Sequence, residues 1–168
     1  EQLDALPLGR LDFIGMNIYN SVMVRAGANG KPEFCPRAAG HPRTALGWPI
    51  TPESMEWGTR FIWERYGLPI SITENGLSCS DSIHLDCKVL DPERIDFTHS
   101  YLLALRRAID SGVDVRGYFH WSLLDNFEWS EGYNERFGLL YLDNATATPP
   151  PNDSAAWYAK GAETNGKN

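Results

Sequence analysis

The sequence predicts a parallel α/β fold, because short apolar runs typical of buried strands alternate with longer segments typical of amphipathic helices. Each helical segment lies between two strand-like runs, which is the order of βαβ units and of parallel strand pairing. Three parallel strands cannot close a barrel, and an open parallel sheet of this size leaves its edges unpaired. We therefore expect the 168 residues to be part of a larger α/β domain.

The predicted strands are 11–16, 70–73 and 116–121. The second strand is followed by Glu74 and then by Asn75-Gly76, which is among the strongest turn signals. A carboxylate at the carboxyl end of a parallel strand is held on a rigid element while its head can face a ligand. Glu74 is therefore the first catalytic candidate, and the alternative is an ordinary charge at a strand end.

Capping residues define the two helices between these strands. The first is predicted to start at Thr51-Pro52-Glu53, with Thr51 as the N-cap, and to end at Gly67. The second is predicted to start at Asp91-Pro92-Glu93 and to end by Gly112. Its predicted apolar face consists of Ile95, Leu102, Leu105 and Ile109.

Three further segments complete the predicted organisation. Residues 26–46 are rich in Gly, Pro and Ala and predict a long loop, which in compact domains is usually functional or mobile. Residues 137–142 predict a short extra strand, and a terminal helix is predicted from Asp153 onward.

Composition argues against several classes of function. The net charge of −7 offers no basic stripe for nucleic acid or an anionic membrane, and no apolar run approaches the ~20 residues of a membrane span. The three cysteines lack metal-ligand spacing, so we predict no metal and no cofactor. Cys79 and Cys87 are close enough in sequence for a loop disulfide, although free thiols are favoured. Residues 1–4 resemble the middle of a longer reading frame more than a signal peptide.

The segment Trp121–Trp129 interleaves aromatic and acidic side chains directly after a predicted strand. Aromatic residues make up 12% of the chain, and their flat faces suit sugar rings as well as a protein core. A carboxylate beside such a face can accept two hydroxyl hydrogen bonds, which is a strong and directional contact. The segment therefore predicts sugar binding, with packing of the aromatic residues as the alternative.

Three segments in this order, Asp12–Tyr19, Ile72–Gly76 and Gly117–Trp129, resemble glycoside hydrolase family 1, the β-glucosidases and their relatives. The resemblance covers essentially the whole chain. It implies the last three βα units of a (β/α)8 TIM barrel, with the earlier units absent, since a complete barrel takes about 250 residues or more.

The resemblance implies a role for individual residues. Glu74 matches the catalytic nucleophile, and Tyr19 matches the tyrosine whose hydroxyl hydrogen-bonds it. The remaining matches would contact substrate. Asn17 would lie near the nucleophile, Trp48 on the aglycone side and Trp121 under the glycone ring. Glu128 and Trp129 would contact the sugar hydroxyls, and Phe137 would border the glycone pocket, with a core position as an equal alternative.

The resemblance also indicates a missing half of the catalytic pair. The family acid/base lies in an Asn-Glu-Pro segment, and the chain contains none. We therefore expect an N-terminal barrel segment as partner, a β-glucoside or related oligosaccharide as substrate, and negligible hydrolysis by the chain alone. The carboxylate of Glu128 would repel a phosphate, so the predicted substrate is unphosphorylated, with glucose or galactose as the leading sugars.

Two alternatives to the enzyme remain open from the sequence. One is a non-catalytic sugar-binding or partner-binding fragment of the same family. The other is a fragment that self-associates to cover its open sheet edges. The form of the segment Asp91–Ile95 favours a bacterial protein and a cytoplasmic location.

Overall fold

The computed structural model of the chain describes residues 11–143 and 152–166. Parallel strands and helices form its centre, as predicted. The elements in chain order are strands β1 (Ile14–Asn17), β2 (Val24–Ala26) and β3 (Pro32–Phe34), helix α1 (Glu53–Tyr66), strand β4 (Ile70–Asn75), helix α2 (Pro92–Asp110), strand β5 (Val115–His120), a 3-10 turn (Trp129–Glu131) and helix α3 (Asp153–Thr164).

The main sheet has the order β1–β4–β5, and both pairings are parallel. This confirms the predicted βαβ arrangement, with β4 two residues longer than predicted and β1 starting three residues later. Register places Ile14 opposite Ile70, and an irregularity after Met16 brings Asn17 opposite Glu74. Glu74 is therefore the penultimate residue of β4, which ends at Asn75.

Helix α1 has the predicted position, and Gly67 ends it with a left-handed φ of 62°. The predicted N-cap role of Thr51 is wrong, since α1 has no side-chain cap hydrogen bond. The Thr51 hydroxyl is buried and accepts the Ser21 N–H at 2.9 Å, because the segment after β1 passes directly over the start of the helix. Helix α1 packs on α2, where Arg107 Nε donates to Glu56 Oε2 at 2.6 Å.

Helix α2 buries a face different from the predicted one. Ile109 is 41% exposed, and Ile95 and Leu102 are only half-buried, so Leu105 alone of the predicted set is in the core. The stripe that faces inward packs into one core cluster with Ile70 and Ile72 of β4. That stripe contains Phe97, Tyr101, Ala104, Leu105 and Ala108.

Two of the remaining predictions need correction. Residues 137–142 form no strand, because their ladder pairing is limited to the isolated bridge Leu124–Leu140. The predicted loop 26–46 includes the hairpin β2–β3 at its start. Helix α3 begins at Asp153 as predicted, and Cys35, Cys79 and Cys87 are free thiols.

The N-termini of α2 and α3 are joined by a buried carboxylate. Asp91 Oδ1 accepts the Ser154 N–H at 2.9 Å, and Asp91 Oδ2 accepts the Ser154 hydroxyl at 2.5 Å and the Asn152 amide at 3.2 Å. Hydrogen bonds to an ionised acceptor are about twice as strong as neutral ones. This contact fixes the start of α3 beside the start of α2.

Candidate active site

Glu74 and Tyr19 meet at the carboxyl ends of β4 and β1. Tyr19 Oη donates a hydrogen bond to Glu74 Oε2 at 2.8 Å, and both side chains are half-buried. The two strand ends are joined beneath them, since the Ile18 N–H donates to the Glu74 carbonyl at 3.0 Å and the side-chain amide of Asn75 donates to the Ile18 carbonyl at 2.7 Å. The pairing of parallel strands therefore holds these two side chains in contact across 55 residues of sequence.

Tyr19 remains a hydrogen-bond donor because its environment opposes ionisation. Burial raises the pKa of the Tyr19 phenol, and the hydrogen bond to Glu74 raises that pKa further. Its backbone is fixed from below, since Tyr101 Oη on α2 donates to the Tyr19 carbonyl at 2.8 Å. A protonated phenol at this position orients the Glu74 carboxylate by donating to its Oε2.

Trp121 and Glu128 form a second unit on the loop after β5. Trp121 Nε1 donates to Glu128 Oε1 at 3.0 Å, which fixes the carboxylate beside the indole ring. Trp129 follows with a positive φ of 48° and is 84% exposed, so its ring is free to contact a ligand. The three side chains predicted to bind sugar thus lie on one loop, and Trp121 and Glu128 are hydrogen-bonded to each other.

Gly76 allows this loop to lie close to Glu74. A Cβ atom at Gly76 would lie 1.8 Å from the Trp121 carbonyl oxygen, which is less than any real contact. The Trp121 N–H in turn donates to the Asn75 carbonyl at 2.8 Å. Only glycine permits this approach, so the turn signal after β4 also sets the separation of the two functional units.

An aromatic wall consisting of Tyr19, Trp48 and Phe137 borders Glu74. The ring centroids of Tyr19 and Trp48 are 5.3 Å apart, and Phe137 lies 6.3 Å from each of them. Edge-to-face rings at these distances attract each other. Phe137 is only 2% exposed and is the buried member of the wall, whereas Trp48 is half-buried. A substrate contact of Phe137 stays a prediction.

Asn17 lies apart from the carboxylate pair. Its side chain is exposed, and its Oδ1 accepts the Thr73 hydroxyl hydrogen bond at 2.7 Å. Since Asn17 and Glu74 are register partners on adjacent strands, Asn17 belongs to the same edge of the sheet. Its role in binding stays a prediction.

The sequence did not single out the ion pairs behind the wall. Arg94 is fully buried between Asp81 and Asp91, and Arg136 Nη1 donates to Asp125 Oδ2 at 2.6 Å. The available signal was an arginine one helical turn after Asp91, on the side of α2 that also carries apolar residues.

A cleft of about 380 Å³ lies beside this site, between residues 16–21 and residues 53–58. Asn17 and Tyr19 line it, but Glu74 does not. The cleft therefore adjoins the carboxylate site through Tyr19, and we assign it no ligand.

Within residues 11–143 and 152–166, no cluster of His, Cys, Asp and Glu has the geometry to hold a metal ion. In the same ranges, none of the helices has the length and apolar character needed to cross a bilayer.

Comparisons with known proteins relate the whole chain to one family. The sequence model of glycosyl hydrolase family 1 matches residues 1–167. β-Glucosidase A of Thermotoga maritima is 41% identical over 160 residues, which cover 94% of this chain and 35% of that protein. A bifunctional β-D-glucosidase/β-D-fucosidase of Bifidobacterium breve is 36% identical over 170 residues, covering 89% of this chain and 36% of the relative. The chain thus spans about a third of the length of these curated relatives.

Solved structures give the same relationship. The β-glucosidase from Thermotoga maritima in complex with glucoimidazole has a TM-score of 0.86 and 40% identity, covering 94% of this chain and 36% of that one. Its complex with castanospermine has a TM-score of 0.86 and 39% identity, with 95% and 36% coverage.

Proposed function

Since the chain belongs to glycosyl hydrolase family 1, we propose that residues 1–168 form the last three βα units of a (β/α)8 barrel and carry the nucleophile of a retaining β-glycosidase. The related proteins are β-glucosidases, which supports hydrolysis of β-glycosidic bonds as the reaction of the complete protein. Their structures contain sugar-like inhibitors such as deoxynojirimycin, which supports a sugar as ligand.

The hydrogen bond from Tyr19 to Glu74 is the observation that carries the proposal. Retaining glycosidases use one carboxylate to attack the anomeric carbon and a second carboxyl group, ~5–5.5 Å away, to protonate the leaving group. A hydrogen bond of 2.8 Å to Oε2 orients the Glu74 carboxylate and leaves Oε1 as the attacking atom. Because Tyr19 stays protonated, it remains a hydrogen-bond donor that holds the Glu74 carboxylate in one orientation.

The loop after β5 would recognise the glycone. In this proposal Trp121 lies under the sugar ring, while Glu128 and Trp129 contact the hydroxyl groups distant from the anomeric carbon. The bond between Trp121 Nε1 and Glu128 Oε1 fixes the carboxylate before the sugar arrives, so less side-chain entropy is lost on binding. A carboxylate here favours hydroxyl donors and repels phosphate, which makes an unphosphorylated sugar the proposed substrate.

An N-terminal barrel segment is the proposed partner that supplies the acid/base. The chain contains no Asn-Glu-Pro segment, so leaving-group protonation needs a residue from elsewhere. Strands β1 and β5 form the two edges of the described sheet. Exposed rings flank both edges, since Phe13 is 56% and Phe119 is 61% exposed, and apolar side chains on an open parallel sheet favour further strands.

Reaction with a 2-deoxy-2-fluoro glucoside tests the proposal, because this substrate traps the covalent glycosyl-enzyme intermediate. The chain is combined with a family N-terminal segment, and peptide mass spectrometry locates the label. We expect stoichiometric labelling of Glu74, turnover of an aryl β-glucoside by the combination, and negligible turnover by the chain alone.

Glu74→Gln and Glu131→Gln form a matched pair for this test, since Glu131 is an exposed residue of the 3-10 turn. The first change should abolish labelling and the second should preserve it. Sugar binding without any labelling would favour the non-catalytic module, and full turnover by the chain alone would contradict the need for a partner.

A further inference from the structure

A buried ionic network lies behind the aromatic wall, outside the residues to which the proposed function gives a role. At its centre is Arg94 of α2, whose side chain is 0% exposed. Its guanidinium donates to the Asp91 carboxylate and, at 2.5 Å, to Asp81 Oδ2. A further donation of 3.2 Å reaches the carbonyl oxygen of Arg136. One side chain of α2 thus holds both the loop after β4 and the loop after β5.

The Arg94 bond to the Arg136 carbonyl is adjacent to the aromatic wall, because the next residue is Phe137. That oxygen accepts two hydrogen bonds, one from Arg94 and one from the Cys79 N–H at 2.9 Å. The next residue is Phe137, which is 2% exposed and whose ring lies 6.3 Å from the ring of Tyr19. A shift of this carbonyl would therefore move the ring that supports Tyr19.

The bond to Asp81 leads to the wall from the other side. Asp81 lies three residues after Ser78, whose Oγ accepts the Leu46 N–H at 3.0 Å. Leu46 in turn lies two residues before Trp48. Arg94 therefore holds Asp81 in the same loop as Ser78, and Ser78 is hydrogen-bonded to the segment that precedes Trp48.

We propose that Arg94 is a positioning residue of the sugar site. Its forked guanidinium holds Phe137 and Trp48 against Tyr19. Through that packing it orients the hydrogen bond from Tyr19 to Glu74. A guanidinium presents several donors in a fixed plane, whereas an ammonium group is a single point charge on a flexible stem. Lysine at this position would keep the charge beside the carboxylates but lose the simultaneous contact with the Arg136 carbonyl. The catalytic consequence rests on the proposed function, while the position of the wall is measurable without substrate.

Fluorine NMR of the chain labelled with 5-fluorotryptophan tests the proposal directly. Trp48 is assigned through Trp48→Phe, and its resonance is compared between the native chain and Arg94→Lys. We expect the Trp48 resonance to move by more than its linewidth, while that of Trp63 on α1 stays in place. Arg106→Lys is the matched control on α2, since Arg106 pairs with Asp110 in an exposed contact (71% and 57% exposed), and it should move neither resonance.

Asp81→Asn provides a second variant that keeps Arg94 paired with Asp91, in case Arg94→Lys does not fold. It should displace the Trp48 resonance in the same direction. An unchanged Trp48 resonance in the folded variants overturns the proposal. Loss of the folded state in both variants overturns it as well, because Arg94 would then serve the whole fold and not the wall.

Kinetics of the completed barrel separate positioning from stability. We expect Arg94→Lys to lower kcat roughly tenfold or more, with KM nearly unchanged. A misdirected nucleophile reduces stabilisation of the transition state more than it reduces the affinity for the sugar. Equal kcat values in a folded variant with a displaced Trp48 would contradict a catalytic consequence. An inactive native barrel would count against the proposed function, and the fluorine result would still decide the position of the wall.

Discussion

Acid should destabilise this chain through one buried histidine at the end of β5. Both ring nitrogens of His120 are buried. Burial is the main cause that lowers the pKa of His120 from 6.5 to about 4, and the positive charge of Arg94 adds to it. The unfolded chain therefore binds more protons than the folded chain once the pH falls below 6.5, and the free energy of unfolding decreases through that window.

The expected size follows from the two pKa values. Linkage between a folded pKa of about 4 and an unfolded pKa of 6.5 gives a loss of about 2 kcal/mol at pH 5 and about 3 kcal/mol at pH 4. The loss is fully absent well above pH 6.5 and reaches its limit below the folded pKa. Carboxylates titrate in part of the same range, so the contribution of His120 is obtained as a difference between two chains.

Urea unfolding followed by tryptophan fluorescence measures this difference at pH 7, 5 and 4 for the native chain and for His120→Leu. We expect the variant to gain about 3 kcal/mol relative to the native chain between pH 7 and pH 4, because it has no ring to protonate. His84→Leu is the control, since His84 lies exposed in the loop between β4 and α2. Parallel curves for the native chain and His120→Leu would refute the reasoning, because His120 would then accept a proton without cost.

Three further outcomes are expected. In the completed barrel, Tyr19→Phe removes the hydrogen bond to the Glu74 carboxylate, and such a bond to a charged group contributes about 1.5–3 kcal/mol. We therefore expect kcat/KM for an aryl β-glucoside to fall at least tenfold. Tyr133→Phe changes an exposed ring and should leave kcat/KM unchanged. Gly76→Ala would place a Cβ 1.8 Å from the Trp121 carbonyl oxygen and should lower the free energy of unfolding by about 1–3 kcal/mol. Gly161→Ala has open space around its Cβ inside α3 and should raise the free energy of unfolding by about 0.5–1 kcal/mol. Urea unfolding at pH 7 compares the two variants. Glu128→Gln should raise the ratio of kcat/KM for a 6-phospho-glucoside to that for the plain glucoside by about tenfold or more, since a like-charge contact costs several kcal/mol, and an unchanged ratio would count against repulsion by this carboxylate.

The order of the elements was predictable because it depends on local signals. Apolar runs and helix-start residues marked the three parallel strands and both intervening helices, and Gly67 ends α1 as predicted. The buried face of α2 was not predictable in the same way. Ile109 is apolar yet exposed and Ala104 is fully buried, because the buried face depends on how α2 is placed against the core cluster and α1, and not on hydrophobicity alone.

The sequence by itself determined the family, the order of strands and helices, and the identity of the site candidates, since these depend on which residues follow which strand ends. Only the tertiary structure supplied the geometry of the Tyr19–Glu74 hydrogen bond that the resemblance had implied, and only it showed that Phe137 is the buried member of the wall. The tertiary structure alone also revealed Arg94 between two loops. Contacts across 42 to 55 residues arise from strand register and loop closure, which local patterns along the chain do not encode.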